Sequence, residues 1–379
     1  MSEEERNIQQ DMADREKVVI RTSIIGILAN GVLAGFKAFV GIITGSIAVT
    51  LDAANNLSDA MSSVITIIGT KLAGKAPDKK HPLGYGRTEY LSQTIVAAIV
   101  LYAGITSLTE SVKKIIHPSA ADYTTVSLVI IAAAIIVKLI LGSYVKKKGR
   151  QVNSGSLIAS GSDASFDAIL SASVLASAFI YIYTGVSLEA WVGAVISVII
   201  IKSGIEMIME AVNEILGSRT DAETARQIKQ TICEDPDVQG AFDLFLYNYG
   251  PGKNYGSVHV EVYDTMTAVQ IDAMDRRIQA AVYRKHGVIL TGIGLYAVNT
   301  GHEEAAEMRR AVMEKVMDHD YSMQFHGFYA DTLQRTMTFD VVLSFECDQE
   351  KALREMSAEI GAMYPDYEIH IQPDVDITE

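Results

Sequence analysis

Long apolar stretches dominate the first 214 residues of the chain. A bilayer is crossed by about 20 apolar residues in a helix, and six stretches reach that length, at residues 18–43, 47–73, 90–116, 123–145, 157–184 and 188–212. The second and fifth stretches are the ones that carry several polar residues. The pattern predicts a polytopic α-helical membrane protein with six transmembrane helices.

From residue 219 onward the pattern changes to short alternating strands and amphipathic helices. Residues 221–298 predict helix, strand, strand, helix and strand, and the same order returns in residues 303–372. This order is typical of a ferredoxin-like, open-faced α+β sandwich, and its return predicts that the unit is duplicated. We therefore expect four parts: an N-terminal tail at 1–17, a membrane domain at 18–214, and α-β-β-α-β units at 219–300 and 301–379.

The loops between the apolar stretches differ in charge. The loop after the second stretch (KLAGKAPDKKHPLGYGRTE) and the loop after the fourth (VKKKGRQ) are rich in lysine and arginine, whereas the loop TGVS between the fifth and sixth has no charge. Basic loops stay on the cytoplasmic side of a membrane. We therefore expect both basic loops and both termini to be cytoplasmic.

The net charge of −14 comes entirely from residues 219–379, which contain 28 acidic and 14 basic residues, against 18 of each before them. This balance disfavours nucleic-acid binding, since no basic face is available for phosphates. Cys233 and Cys347 are the two cysteines, too few for a disulfide framework or a thiolate metal site. The acidic N-terminus (MSEEERNIQQDMADREK) has the wrong composition for a cleaved signal peptide.

Acidic residues interrupt the two polar stretches with helical spacing. Asp52, Asn55 and Asp59 lie at i, i+3 and i+7, and Asp163 and Asp167 lie at i and i+4, so each set occupies one helix face. An aspartate at the centre of a membrane costs about 2.5–3.5 kcal/mol on insertion scales. We expect no lysine within reach of both sets, which suggests that the neutralising cation is a bound ligand.

Four of these residues form the candidate metal site: Asn55, Asp59, Asp163 and Asp167. Two faces with this spacing offer four oxygen ligands to one divalent ion. The alternative is helix packing, which we accept for the neighbouring serines and glycines. For Asp52 a proton acceptor, a helix-fixing group, a residue in a water-filled mouth and a direct ligand all remain open. Lys138, in the middle of the fourth stretch, is expected to pair with an acid for structural reasons.

These motifs resemble the cation diffusion facilitator family. The resemblance lies in SIAVTLDAANNLSDA, in the matching Asp163 and Asp167, in HPLGYGRTE, and in six spans followed by a soluble α/β domain, over residues 18–298. It implies a homodimeric exporter that exchanges a divalent metal for protons by alternating access. It also implies that the metal ligands are Asn55, Asp59, Asp163 and Asp167.

The chemistry of the candidate ligands narrows the choice of metal ion. Zinc-type members place histidine in this site, but all eight histidines of this chain lie outside the apolar stretches. Carboxylate and amide oxygens suit manganese better than the zinc, copper and nickel that imidazole favours. The set resembles the manganese branch, so we expect Mn²⁺ first, Fe²⁺ next and Zn²⁺ third. Crowded buried carboxylates favour the protonated form, so metal binding is expected to release protons, the counter-ion of the antiport.

Secondary metal sites are weaker candidates. Asp78 and His81 resemble remnants of a cytoplasmic-loop site, with Tyr85 in a position that is often histidine, but we favour a solvated loop with a structural His-Pro turn. His259 matches a regulatory zinc ligand of the family. Phe242 occupies another ligand position, and the third strand has no His or Asp, so the binuclear zinc site of the family is expected to be absent.

The remaining histidines of the C-terminal part are expected to be scattered and solvated: His286, His302, His319, His326 and His370. The second α-β-β-α-β unit has no assigned role and is expected to enlarge a dimer interface or act as a sensor.

Two classes of function therefore compete. The first is a secondary transporter in a bacterial cell membrane, homodimeric through its cytoplasmic domain and without a prosthetic group. The second is a metal-sensing membrane scaffold that binds metal without moving it. An enzyme is least expected, since the sequence has no P-loop, GxSxG, HExxH or paired Cys/His set.

Overall fold

The computed structural model describes residues 3–44, 47–117, 125–184, 188–217, 221–298, 303–344 and 346–374, apart from some side chains within helices. The chain divides into two compact units by its internal contacts. The first contains Met1–Ser218 with Tyr249–Gly252, and the second contains Arg219–Asn248 with Lys253–Glu379.

Six long helices form the first unit: α1 (Glu3–Thr44), α2 (Ile47–Ala73), α3 (Thr88–Ile116), α4 (Thr125–Gln151), α5 (Gly155–Thr184) and α6 (Glu189–Leu216). Helix α1 packs mainly on α2, α3 on α6, and α4 on α5. Helix α5 also contacts α2, α3 and α6. This arrangement brings α2 and α5, the two helices that carry the candidate ligands, into contact.

Apolar side chains cover the outside of this bundle. In the described part of the chain, four helical stretches have the length and hydropathy to cross a membrane: Ala13–Val40, Thr88–Ile116, Leu128–Gln151 and Ala190–Leu216. Helices α2 and α5 are not among these four. Val32, Ile116, Ile140 and Val195, from α1, α3, α4 and α6, are each more than 60% exposed. Large apolar side chains facing outward on several helices are expected of a bundle surrounded by lipid.

The second unit contains two segments with the same order of elements. The first is α7 (Ala222–Cys233), β1 (Gly240–Asn248), β2 (Asn254–Tyr263), α8 (Ala268–His286) and β3 (Val288–Val298). The second is α9 (Glu303–Met317), β4 (Ser322–Asp331), β5 (Thr336–Leu343), α10 (Gln349–Met363) and β6 (Glu368–Asp374). In each segment the first two strands pair antiparallel and the third pairs parallel with the middle strand.

Each segment has its own apolar core beneath its three-stranded sheet. Ile228, Val260 and Ile278 are fully or almost fully buried in the first core, and Phe339 and Ile360 are fully buried in the second. The helices begin at residues that satisfy their free N–H groups: Asp221 caps α7, Thr267 forms a capping box with Gln270 at α8, and Asp348 caps α10.

Candidate metal centre

Three of the predicted ligands lie around one cavity of the helical bundle. Asp59 of α2 and Asp163 and Asp167 of α5 line a cavity of about 330 Å³. The rest of its wall comes from α3, α5 and α6: Ile99, Tyr102, Ala103, Thr106, Ser107, Glu110, Phe166, Leu170 and Ile200. The i, i+4 spacing puts Asp163 and Asp167 on the face of α5 that meets α2. Three carboxylates from two helices therefore point into a common space.

Lys138 of α4 lies against two of these carboxylates. Its Nζ atom is 2.7 Å from Asp59 Oδ2 and also contacts Asp167 Oδ2. The lysine side chain is only 2% exposed, whereas Asp167 is 37% exposed. The expectation that no lysine reaches both sets of acids was therefore wrong, because the chain supplies a cation from a third helix. The expected pairing of Lys138 with an acid is confirmed.

Glycines allow α4 and α5 to approach closely enough for this contact. A methyl group built on Gly142, one turn after Lys138, would lie 2.9 Å from the carbonyl oxygen of Gly161. A methyl group on Gly161 would lie 2.6 Å from the backbone nitrogen of Lys146. Neither distance is compatible with a side chain, so the two backbones touch here. Small residues at a helix crossing are a common way to bring membrane helices together.

The side chains of Asn55 and Asp52 lie outside the described residues, although both positions belong to helix α2. Asn56, which the sequence reasoning did not select, is fully buried. Within the described part of the chain its amide oxygen and nitrogen have no hydrogen-bond partner.

The loop between α2 and α3 brings Asp78 and His81 together, with Tyr85 and Lys75. The Tyr85 hydroxyl donates to Asp78 Oδ2 at 2.7 Å and lies 2.8 Å from His81 Nδ1. The Lys75 ammonium lies 3.2 Å from the same carboxylate. The hydrogen bond from Tyr85, supported by the His81 backbone N–H and by Lys75, lowers the pKa of Asp78 below its ordinary value. Lysine and tyrosine thus already satisfy the carboxylate that a loop metal ion would need.

His259, on β2, contacts an aspartate that the sequence reasoning overlooked. Its Nδ1 atom lies 2.9 Å from Asp243 Oδ2. The contact with Asp243 raises the pKa of His259 above its ordinary value. Burial raises the pKa of Asp243, but its close contacts with His259 and His326 outweigh the effect of burial and leave that pKa lowered. Phe242 is the strand partner of His259.

Of the five histidines expected to be scattered and solvated, His326 departs most from that expectation, and His319, only 15% exposed, is also partly enclosed beside Glu359. His326 is completely buried, and its ring stacks on Phe242 at a centroid distance of 4.8 Å. A nitrogen of His326 and carboxylate oxygens of Asp243 and Asp340 all lie within 4.8 Å of one another. The expectation for His326 was therefore wrong, because the packing of the second segment against the first encloses it. His302 lies outside the described residues.

A bundle of apolar helices that holds three carboxylates and a lysine around one cavity is the arrangement expected of an integral membrane protein with a site for cations. Residues 23–216, slightly more than half of the chain, match the cation efflux transmembrane domain. The chain belongs to this family of membrane transporters, which confirms the family indicated by the sequence motifs. Metal transport across a membrane, rather than enzymatic catalysis, is the activity of the family.

Several relatives match this chain over most of their own length. The manganese efflux system protein MneP of Bacillus subtilis is 25% identical over 235 residues, which are 60% of this chain and 78% of MneP. MneS of the same organism is 27% identical over 250 residues, 65% of this chain and 83% of MneS. An uncharacterized transporter of Methanocaldococcus jannaschii is 26% identical over 251 residues, 65% of this chain and 87% of the relative. Together they support a divalent metal cation exporter.

Proposed function

We propose that this chain is a manganese exporter whose transported ion is held by Asn55, Asp59, Asp163 and Asp167. The observation that carries the proposal is the single cavity lined by Asp59, Asp163 and Asp167. Carboxylates in a membrane are costly and are retained for function. Oxygen ligands favour a hard divalent ion such as Mn²⁺, and two relatives are named manganese efflux proteins. Fe²⁺ is the next candidate and Zn²⁺ the third.

Lys138 gives Asp59 and Asp167 a counter-charge. Its ammonium bridges Asp59 and Asp167, so an incoming dication competes with a tethered monovalent cation. A competing internal cation weakens metal binding and so assists release on the far side of the membrane. We infer that Lys138 moves away from at least one of the two carboxylates when the metal is bound.

The transport cycle proposed here is exchange of Mn²⁺ for protons by alternating access. Carboxylates that have released their metal ion to the outside gain stability by taking up protons from that side, which the return step then carries inward. In this proposal the chain crosses the membrane six times, and its termini and its C-terminal unit lie in the cytoplasm. Two copies of the chain form a homodimer. The shared element order of residues 219–300 and 301–379 supports a duplication of the α-β-β-α-β unit.

Flux measurements with purified protein in liposomes test the exporter. The wild-type protein is expected to transport Mn²⁺ faster than Fe²⁺, Zn²⁺ or Cd²⁺, and Asp163→Asn is expected to abolish the flux. Glu110→Gln is the matched control, because Glu110 lines the same cavity from α3 but is not a proposed ligand. Metal binding without flux in the wild-type protein would instead favour the metal-sensing scaffold. If the rate of Mn²⁺ flux did not change with an imposed pH gradient, the proposed exchange of Mn²⁺ for protons would be contradicted.

A further inference from the structure

We propose that the C-terminal unit contains a second divalent-metal site, formed between its two α-β-β-α-β segments by Asp243 of the first and His326 and Asp340 of the second. Asp374 of the second segment completes the ligand set. The ion class is a first-row transition dication, with Zn²⁺ as the probe of highest expected affinity. This site is independent of the transport function proposed above, and its ligands differ from the strand histidines that the family resemblance implied.

The distances between the ligand atoms fit a common ion. His326 Nε2 lies 3.0 Å from Asp243 Oδ1 and 3.6 Å from Asp374 Oδ2. Two ligands held about 2.1 Å from one metal are separated by about 3.0–3.4 Å in octahedral or tetrahedral geometry. The ligand atoms of His326, Asp243 and Asp340 all lie within 4.8 Å of one another, so small shifts bring all three around one cation.

The buried imidazole of His326 is the clearest indication of a metal site. His326 is 0% exposed, and in the described part of the chain neither of its ring nitrogens makes a hydrogen bond. A buried polar group without a partner costs about 1–3 kcal/mol. Nε2 faces carboxylate oxygens at short range without hydrogen-bond geometry. A metal ion between nitrogen and oxygen satisfies both.

The hydroxyl group of Tyr296 provides a second sign. It lies 2.7 Å from Asp243 Oδ2 and 2.6 Å from Asp340 Oδ2. A phenol has one proton to donate, so it can satisfy only one of these oxygens at a time. The other contact then joins two oxygens without a proton between them, beside an aspartate that is only 7% exposed. A cation bound to the two carboxylates removes this repulsion.

Each ligand position of the second segment has an equivalent position in the first segment. Phe242 pairs with His259 across β1 and β2, and His326 pairs with Asp340 across β4 and β5. The strand register breaks directly after Phe242 and His326. Tyr296 of β3 and Asp374 of β6 also correspond, each pairing with the residue two positions beyond His259 or Asp340. Equivalent positions thus have different side chains in the two segments.

The residues after the register breaks have left-handed backbones. Asp243 has φ +51°, which is uncommon for a residue other than glycine, and the equivalent Gly327 has φ +64°. A side chain on Gly327 would lie 2.9 Å from the Tyr296 ring. A bulge re-aims one side chain out of the strand's alternation. Here it directs Asp243 toward the second segment, where His326 and Asp340 complete the site.

His259 acts as a positioning residue. Its Nδ1 atom lies 2.9 Å from Asp243 Oδ2, the oxygen that faces away from His326. Partners behind a metal ligand fix its orientation, and their loss typically lowers metal affinity by about 10–100-fold. The first segment alone offers only one carboxylate and one imidazole at this place. The second segment therefore gains a role, since it supplies most of the ligands.

Metal binding to the full-length protein in detergent tests the proposal. The Asp59→Asn/Asp163→Asn double variant removes the transport site, and we expect it to retain one tightly bound Zn²⁺ per chain by isothermal titration calorimetry. X-ray absorption spectroscopy at the zinc edge should reveal an imidazole ligand, which the proposed transport site does not contain. His326→Phe and Asp340→Asn, made in this background, should each lower the Zn²⁺ affinity by at least about tenfold.

Controls separate ligand loss from misfolding and from failure of the transporter. His326→Phe introduces the residue that the first segment has at the equivalent position, Phe242. With a chelator present, its melting temperature should equal or exceed that of the parent double variant. His370→Asn removes an exposed histidine from β6 and should leave the Zn²⁺ affinity unchanged. No zinc bound to the double variant, or equal affinities for His326→Phe and His370→Asn, would overturn the proposal. Neither result depends on metal flux by the wild-type protein.

Discussion

The Nζ atom of Lys138 lies 2.7 Å from Oδ2 of Asp59, and this contact joins α4 to α2 inside the helical unit. The same ammonium contacts Asp167 of α5. One buried positive charge is thus shared by two of the three carboxylates that line the cavity. The ammonium offsets the negative charge of both carboxylates, and under the function proposed above a bound dication would compete with it.

Replacing the lysine should separate these two effects. Lys138→Met keeps the length of the side chain but leaves Asp59 and Asp167 without their counter-charge. Removing one partner of a buried ion pair typically costs about 3–5 kcal/mol, so the metal-free variant should unfold at a lower temperature. Added Mn²⁺ should restore much of the loss and bind more tightly than to the wild-type protein. Thermal unfolding in detergent, with and without Mn²⁺, measures both.

Lys138→Arg serves as the control because it keeps the charge. It should remain closer to the wild-type melting temperature in the absence of metal and show less stabilisation by Mn²⁺ than Lys138→Met. If Mn²⁺ stabilised Lys138→Met no more than the wild-type protein, the idea of competition between lysine and metal would be wrong.

The glycine contact between α4 and α5 gives a second prediction. Gly161→Ala places a methyl group 2.6 Å from the Lys146 nitrogen, so the helices must separate and Lys138 must move from Asp167. Overpacking of this kind typically costs about 1–3 kcal/mol. We expect a lower melting temperature and a reduced Mn²⁺ flux from liposomes.

Gly35→Ala in α1 is the matched control. A methyl group at this position meets no atom within 4 Å, and alanine is the better helix former by about 1 kcal/mol. Its melting temperature and flux should equal or exceed the wild-type values. Equal losses in the two variants would show that the close approach of α4 and α5 is not what matters at Gly161.

A buried ion pair outside the cavity leads to a third prediction. Arg15 of α1 donates two hydrogen bonds to Glu89 of α3, at 2.9 and 2.7 Å, and its Nε donates to the Val152 carbonyl oxygen. Glu89 is only 3% exposed. Arg15→Met should therefore destabilise the protein by about 3–5 kcal/mol, measured by denaturant unfolding. Lys17→Met breaks an exposed pair with Asp14 and should change stability by less than about 1 kcal/mol.

The order of helices and strands could be predicted from the sequence because each element has a clear hydrophobic period. Helix α2 has the predicted bounds Ile47–Ala73, and β3 has the predicted bounds Val288–Val298. Helix α1 begins at Glu3, well before the predicted span at residue 18, because polar residues continue a helix beyond the apolar part. Hydropathy marks the membrane-embedded length of a helix, not its end.

Contacts between elements distant in the chain were harder to predict. Asp59 and Lys138 are separated by 79 positions, and the spacing within one helix says nothing about a third helix. His326 has an ordinary strand context, and only the packing of the two segments reveals that it is buried beside Asp243. The repeat offered a usable signal for His326. Aligning the segments by strand order sets His326 against Phe242 and Asp340 against His259.

The last prediction concerns acid stability of the C-terminal unit. Arg277 binds Asp235 through two hydrogen bonds, at 2.7 and 2.9 Å, and Asp235 is only 9% exposed. These hydrogen bonds lower the pKa of Asp235 below 3.8, its ordinary value. A lowered pKa in the folded state means that the stabilisation is fully present above the unfolded pKa and is lost as the pH falls through the folded one.

Arg277→Gln should therefore destabilise the unit at neutral pH, and the difference from the wild-type protein should shrink as the pH falls from about 5 toward 2. Denaturant unfolding of the full-length protein across this range, followed by a probe in the C-terminal unit, measures the difference. Arg276→Gln breaks the neighbouring exposed pair with Asp272 and should have a smaller effect that high salt removes. A difference between Arg277→Gln and wild type that stayed constant with pH would mean that the arginine stabilises the fold by packing, not through the charge of Asp235.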